Sequence, residues 1–159
     1  MLSEQQRKDV WEGWLGGEIR ANYFAHMGGR FRTEQTVLTL MTLLFSSGAV
    51  ATFIGDWLPT WVKPLLMSLT AGVSLYLVLQ KNLNRITDCA DLYFRWSRLS
   101  NEYKALWDEM DTPDALKRLR ALQEKEAELS KSSVAIPNKK RVMLKWQNYV
   151  ISQHGLTPA

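Results

Sequence analysis

The sequence predicts an all-α membrane protein built on a two-helix transmembrane hairpin, and three observations support this fold class. Two long apolar runs are joined by a turn, with Trp57 and Pro59 in it and Trp61 and Pro64 just after it. No segment shows the strict alternation of apolar and polar residues that is typical of a β-strand. Amphipathic helical patterns follow the second run. We therefore predict that the second span continues into a long cytoplasmic helix packed with two further helices.

The composition narrows the class of protein. The chain has 159 residues, a net charge of +4 and a single cysteine, Cys89. That length fits one domain, and a lone cysteine excludes a disulfide within the chain. Asp88 and Asp91 flank Cys89, an environment that does not stabilise a thiolate. Cys89 is therefore predicted to be a small packing residue.

The N-terminal segment, residues 1–35, is predicted to be cytoplasmic or interfacial. Ser3 and Gln6 have the spacing of a capping box, which predicts a first helix over about residues 3–15. Gly16 and Gly17 then weaken the helical pattern. Residues 18–34 are basic and carry aromatic side chains, as in segments that lie along a membrane surface. Packing against the cytoplasmic helices is the alternative, and the sequence leaves both open.

The predicted hairpin occupies residues 36–80, with spans at about 36–55 and 61–80. The first run has no charged residue between Glu34 and Asp56. Its length of about 20 residues, at ~1.5 Å per residue, matches the hydrocarbon core of a bilayer. Trp57 and Trp61 suit the membrane interface. The alternative is a buried helix pair in a soluble bundle.

Positive charge on both sides of the hairpin predicts its orientation. Arginine and lysine are frequent next to cytoplasmic ends of membrane spans, so we expect both termini in the cytoplasm. The residues predicted to lie at the membrane surface are Arg30, Arg32, Lys81 and Arg85.

Small residues recur at four-residue spacing within the two runs, a pattern that permits close helix packing. They are predicted either to line a pore in an oligomer or to let the two spans of one chain pack. The residues concerned are Ser47, Ala51 and Gly55 in the first run and Ser68 and Gly72 in the second.

The cytoplasmic region, residues 81–159, begins with a heptad pattern that is typical of coiled coils. We predict that this seam mediates homo-oligomerisation. A second helix is predicted from Pro113 to about residue 131, with Thr112 as its N-cap, and a third after the cap Asn138. The second helix carries a predicted apolar stripe of Ala115, Leu119, Leu122 and Leu129. The seam consists of Leu92, Trp96, Leu99, Tyr103, Leu106 and Met110.

No motif for catalysis, a cofactor or a metal is present. His26 and His154 are isolated, and the sequence lacks phosphate-binding loops and nucleophile motifs. We therefore predict a protein that is not an enzyme. A basic cluster at residues 139–145 is compatible with phosphate groups, and anionic lipid is favoured over nucleic acid as its partner.

This organisation resembles the SLATT domains, two-transmembrane effector domains associated with nucleotide-signalling systems of prokaryotes. The resemblance rests on IRANYFAHMGGRFR (residues 19–32) and CADLYFRWSRLSNEYKALWDEM (residues 89–110), with KWQNYVISQHGL (residues 145–156) adding to it. It implies an effector of antiphage defence in the prokaryotic inner membrane, with the lipid bilayer as partner. We expect no fused sensor domain in this chain, so activation would come from a separately encoded sensor or nucleotide-synthesising protein, or from a ligand bound by the cytoplasmic helices.

The function expected from these observations is perturbation of a membrane, through an oligomeric pore, triggered through the cytoplasmic helices. Two alternatives stay open at this stage. One is a membrane anchor or scaffold that recruits a cytoplasmic partner. The other is a phage-type lysis protein or small toxin.

Overall fold

The computed structural model describes residues 2–46, 59, 61–79 and 82–156. Every element among these residues is helical, which confirms the all-α class for this part of the chain. A short 3-10 helix, Ser133–Ala135, follows the fourth α-helix. The α-helices are α1 (Glu4–Ser46), α2 (Val62–Leu79), α3 (Asn82–Asp108), α4 (Ala115–Ser132) and α5 (Lys140–Gln153).

The predicted transmembrane hairpin, with spans at about 36–55 and 61–80, is wrong. Among the helices of the described residues, none combines the length and the apolar character that a membrane crossing requires. In α2, Lys63 and Pro64 lie in the first turn.

The predicted continuation of the second span into a long helix falls on residues 80–81, which lie outside the described part, and it stays a prediction. On either side of them, α2 ends at Leu79 and α3 begins at Asn82.

The chain divides into two compact units. We call Met1–Met27 together with Asp88–Ala159 the bundle unit, and Gly28–Thr87 the apolar unit. The N-terminal part of α1 therefore packs with α3, α4 and α5, which is the second of the two alternatives for the N-terminal segment. Tyr23 and Met27 of this segment are both buried.

A capping box begins α1, as predicted. The Ser3 backbone N–H donates to Gln6 Oε1 (2.8 Å), and the Gln6 backbone N–H donates to Ser3 Oγ (3.3 Å). The predicted helix end near residue 15 is wrong, because α1 continues through Gly16 and Gly17 to Ser46. Tertiary packing at this point outweighs the low helix propensity of glycine.

The helices of the bundle unit pack antiparallel along the chain. Glu102 and Lys125 are paired at 2.6 Å, whereas Trp96, earlier in α3, donates to Ser133 after the end of α4 (3.1 Å). Gly17 permits a close approach of α1 to α3, because a Cβ there would lie 3.0–3.2 Å from Ser100.

The core of the bundle unit is formed largely by the heptad face of α3 and the apolar face of α4. The side chains that form this core are each at most 9% exposed. The apolar stripe predicted on α4 is therefore confirmed. These side chains are Leu92, Trp96, Leu99, Tyr103 and Leu106 of α3, and Ala115, Leu119, Leu122 and Leu129 of α4.

Two predicted helix caps are wrong. Thr112 donates its hydroxyl to the Glu109 carbonyl (2.9 Å), and α4 begins three residues later, after Asp114. Lys139, not Asn138, holds the N-cap position of α5, and neither helix has a side-chain cap hydrogen bond. In both cases the turn that precedes the helix is longer than the sequence pattern indicates.

Candidate functional site

The apolar unit exposes many large apolar side chains. Eleven of its described residues have such side chains with 45–70% of their surface exposed. Scattered exposed leucines are ordinary, but such a concentration in one unit is typical of an interaction surface. We call these residues the apolar surface: Val37, Leu40, Met41, Leu43, Leu44, Trp61, Leu65, Leu69, Leu75, Tyr76 and Leu83.

Several threonine and serine hydroxyl groups of this unit bond to their own helices. Thr36, Thr39 and Thr42 each donate to the carbonyl four residues earlier, at 2.8–3.0 Å. Ser68 in α2 does the same with the Pro64 carbonyl (2.9 Å). A hydroxyl that already donates to a backbone carbonyl does not need a hydrogen bond to water, so it adds little polarity to the surface.

Basic side chains accompany the apolar surface within the same unit. Arg30 and Arg32 are exposed, and the Arg85 guanidinium lies 5.8 Å from the centre of the Phe31 ring. Lys81, the fourth of the predicted membrane-surface residues, lies outside the described part. The membrane-surface role of all four stays a prediction.

The small residues predicted to pack helices or line a pore are only partly described. Ser47, Ala51 and Gly55 lie outside the described residues. Ser68 and Gly72 are exposed, and a Cβ built at Gly72 would meet no other described side chain or neighbouring helix within 4 Å. Their packing or pore-lining role therefore stays a prediction.

The predicted oligomer seam is covered within the single chain. Five of its six residues are at most 3% exposed, and only Met110, at the C-terminal end, is half-buried. Its role between copies of the chain stays a prediction, since these side chains already pack against the chain's own helices.

Comparisons of this chain with protein-family models, with curated proteins and with solved structures found no match. Function is therefore argued from the chain's own residues.

A polar network lies at the centre of the bundle unit. The Arg20 guanidinium pairs with Glu126 (2.8 Å) and lies 4.5 Å above the Trp96 ring. Tyr103 donates its hydroxyl to the other Glu126 oxygen (3.0 Å). Burial and then the Glu126 carboxylate raise the pKa of Tyr103 above its usual value. Tyr103 is therefore a neutral donor to the carboxylate of the Arg20–Glu126 ion pair. This network stabilises the fold of the bundle unit.

Several grooves cross the surface of the bundle unit. The first, between α3 and α4, contains an ion-pair cluster in which both Arg98 (3.1 Å) and Lys125 (2.6 Å) bind Glu102. Burial acts to raise the pKa of Glu102, but these two cations outweigh it and hold the pKa below its usual value. The charges of these three residues satisfy one another.

The second groove lies where α1, α3 and the end of α5 meet, and we call it the aromatic groove. It has a volume of about 340 Å³. Its walls include Trp14, Tyr93, Ser97, Asn101, Lys104 and His154. The Lys104 ammonium lies 5.7 Å from the centre of the Trp14 ring. No local sequence pattern indicates this groove, because its residues come from three helices.

A histidine–carboxylate pair closes one end of the aromatic groove. His154 Nε2 lies 2.9 Å from Glu18 Oε2, and the imidazole ring meets the Trp14 ring edge-on at 5.1 Å. The sequence treats His154 as an isolated residue, since its partner lies 136 positions earlier.

The Cys89 thiol and metal binding are the two remaining candidates for chemical activity. Cys89 is fully buried, and burial followed by the charge of Asp88 raises its pKa to about 11. A thiol with so high a pKa is a poor nucleophile. Among the described residues, no three histidine, cysteine or acidic side chains are placed to hold a metal ion.

Proposed function

We propose that this protein is a membrane-perturbing effector that is not an enzyme and acts at the inner membrane of a prokaryote. Its apolar unit binds the lipid bilayer, and its bundle unit faces the cytoplasm. The observation that carries the proposal is the apolar surface of the Gly28–Thr87 unit.

The energetics favour lipid contact over exposure to water. Complete burial of a leucine, valine or methionine side chain is worth ~1.5–3 kcal/mol. Eleven such large apolar residues, each 45–70% exposed, would therefore gain many kilocalories per mole by entering an apolar phase. The threonine and serine hydroxyls oppose this transfer little, because they are bonded within their own helices.

The charge distribution favours a bilayer with anionic lipids. Arg30 and Arg32 are exposed in the same unit as the apolar surface. Basic side chains near a membrane surface each contribute about 1 kcal/mol of attraction to anionic lipid. The basic residues Lys140, Arg141 and Lys145 are exposed on α5 of the bundle unit and suit the same partner.

The resemblance to SLATT effector domains supports perturbation of the membrane as the activity. It also supports a separately encoded sensor or nucleotide-synthesising protein as the trigger, acting on the bundle unit. The proposal includes a homo-oligomer; the heptad face of α3, predicted as its seam, is buried within the chain.

Membrane potential in living bacteria tests the proposal. Induction of the protein, alone and together with its genomic neighbours, should depolarise the cells before growth stops, as reported by a potential-sensitive dye. The combined variant Leu40→Asp and Leu69→Asp, which places charges on the apolar surface, should abolish this depolarisation. Leu144→Asp is the matched control, because Leu144 is as exposed as Leu40 (55%) but lies in the bundle unit.

Two results would contradict the proposal. One is an unchanged membrane potential under all of these conditions while the protein sediments with membranes, which would indicate an anchor or scaffold. The other is an equal loss of depolarisation in the control variant and in the combined variant.

A further inference from the structure

We infer that the aromatic groove of the bundle unit binds a small ligand that combines a planar ring with an anionic group. This site is separate from the apolar surface, and the inference does not depend on membrane binding.

The size and lining of the groove fit a small molecule. Its volume of about 340 Å³ lies within the range of ~300–1,000 Å³ that is common for ligand pockets. Such pockets combine apolar and aromatic walls with a few placed polar groups. Here Trp14 and Tyr93 supply the aromatic walls, and Ser97 and Asn101 supply hydrogen-bonding groups.

Lys104 is the cation available to a ligand. It is exposed and forms no ion pair with any described residue, and its ammonium lies 5.7 Å from the centre of the Trp14 ring. In the groove beside Glu102, by contrast, Arg98 and Lys125 already share one carboxylate. An anionic group in the aromatic groove would therefore pair with Lys104 without displacing a partner.

The polar side chains of the groove are also available. Within the described part of the chain, Ser97 and Asn101 have no hydrogen-bond partner. Both lie on α3 at helical spacing from Lys104, so they lie near one another along this wall. The one carboxylate among the described lining residues, Glu18, lies 2.9 Å from His154 Nε2.

The aromatic walls favour a planar ring. The Trp14 indole is fixed by edge contacts with Trp11 and His154, at 5.1 Å each. A fixed indole loses little freedom when a ligand binds, which lowers the entropic cost of binding. Tyr93, with 36% of its surface exposed, offers a second aromatic side chain at the same groove.

An NMR titration of the full-length chain with 4-hydroxybenzoate tests this inference. The uncharged 4-hydroxybenzamide is the matched probe, since it keeps the ring and lacks the charge. We expect saturable shifts of the Trp14 indole N–H signal with the benzoate. The amide should bind about tenfold more weakly, because it cannot form the charge-assisted contact with Lys104.

Substitution of the lysine separates this site from general binding. Lys104→Gln should weaken benzoate binding about tenfold and leave binding of the amide unchanged. Lys117→Gln, at an exposed lysine of α4 outside this groove, should change neither. Because Lys104 is exposed, the melting temperature of the Lys104→Gln variant should match that of the parent protein.

Three outcomes would overturn the inference: no saturable shift of the Trp14 signal, equal affinity for the two probes, or unchanged benzoate affinity in the Lys104→Gln variant. None of these depends on lipid, so failure here and failure of membrane binding are distinguishable.

Discussion

At the scale of single residues, the bundle unit is most constrained where α1 meets α3. A Cβ at Gly13 would lie 2.6–2.9 Å from three atoms of the Tyr103 ring. Tyr103 is 1% exposed and its hydroxyl is bonded to Glu126, so the ring cannot move aside easily. At Gly16, the nearest atom to such a Cβ is the end of the Arg20 side chain, at 3.7 Å.

Gly13→Ala and Gly16→Ala should therefore have opposite effects on the free energy of unfolding. Gly13→Ala should destabilise the protein by about 1–2 kcal/mol, because overpacking outweighs the gain in helix propensity. Gly16→Ala should stabilise it by up to about 1 kcal/mol. Denaturant unfolding followed by circular dichroism measures both, and a stabilising Gly13→Ala would contradict the described contact of α1 with α3.

The lowered pKa of the Glu102 carboxylate predicts how the free energy of unfolding depends on pH. Its pKa is held below the ordinary value of 4.5 by Lys125 and Arg98, against the opposing effect of burial. A carboxyl group with a lowered pKa stabilises the folded state above its unfolded pKa, and this stability is lost as the pH falls. The free energy of unfolding should therefore decrease below about pH 4.5.

Glu102→Gln isolates this contribution. The variant should be less stable than the parent protein at pH 7 and should lose less stability between pH 5 and pH 3, as measured by denaturant unfolding at each pH. An identical pH dependence in the two proteins would show that Glu102 is not the group responsible.

At the scale of the elements, the sequence predicted helical faces better than it predicted their partners. The heptad face of α3 and the apolar stripe of α4 were both identified correctly as faces that must be covered. A periodic pattern carries no information on which surface covers it, since the same seam suits a second copy or another helix of the chain. The N-terminal part of α1 provides that cover here.

The ends of the helices were harder to predict for a different reason. The capping box of Ser3 and Gln6 is a local signal, and it was predicted correctly. The starts of α4 and α5 have no side-chain cap, so Thr112 and Asn138 were misleading. Gly16 and Gly17 suggested an end to α1, but the helix continues, and the small size of Gly17 permits close packing against Ser100. The aromatic groove was unpredictable, because its walls come from three helices.

Truncation of the α3 heptad face should destabilise the bundle unit. Leu106 is fully buried, so Leu106→Ala should lower the free energy of unfolding by about 2–5 kcal/mol. Leu116→Ala on α4 is the matched control, because Leu116 is 38% exposed and should cost less than about 1 kcal/mol. Equal losses in the two variants, measured by thermal unfolding, would contradict the core described here.

At the scale of the whole molecule, we propose that the apolar unit binds lipid and that the bundle unit binds a small ligand, because their surfaces differ. The bundle unit has a buried core and the aromatic groove, whereas the apolar unit exposes large apolar side chains. The sequence predicted an apolar segment in this region, but the membrane-crossing hairpin was wrong because the described helices lack the required length and apolar character. Apolar composition alone does not determine whether a segment crosses a membrane or forms an apolar surface.

The most direct test of the central claim is the environment of a single side chain in the presence of lipid. An environment-sensitive fluorophore (NBD) is attached at Leu40→Cys in the apolar unit or at Gln123→Cys in the bundle unit, both exposed positions. The native Cys89 should not compete for the label, because it is buried and its pKa is about 11.

Vesicles that contain anionic lipid are then added to each labelled protein. The account predicts a blue shift and a gain in NBD emission at position 40, with no change at position 123. Unchanged emission at position 40, or an equal change at both positions, would contradict the claim that the apolar surface binds a bilayer.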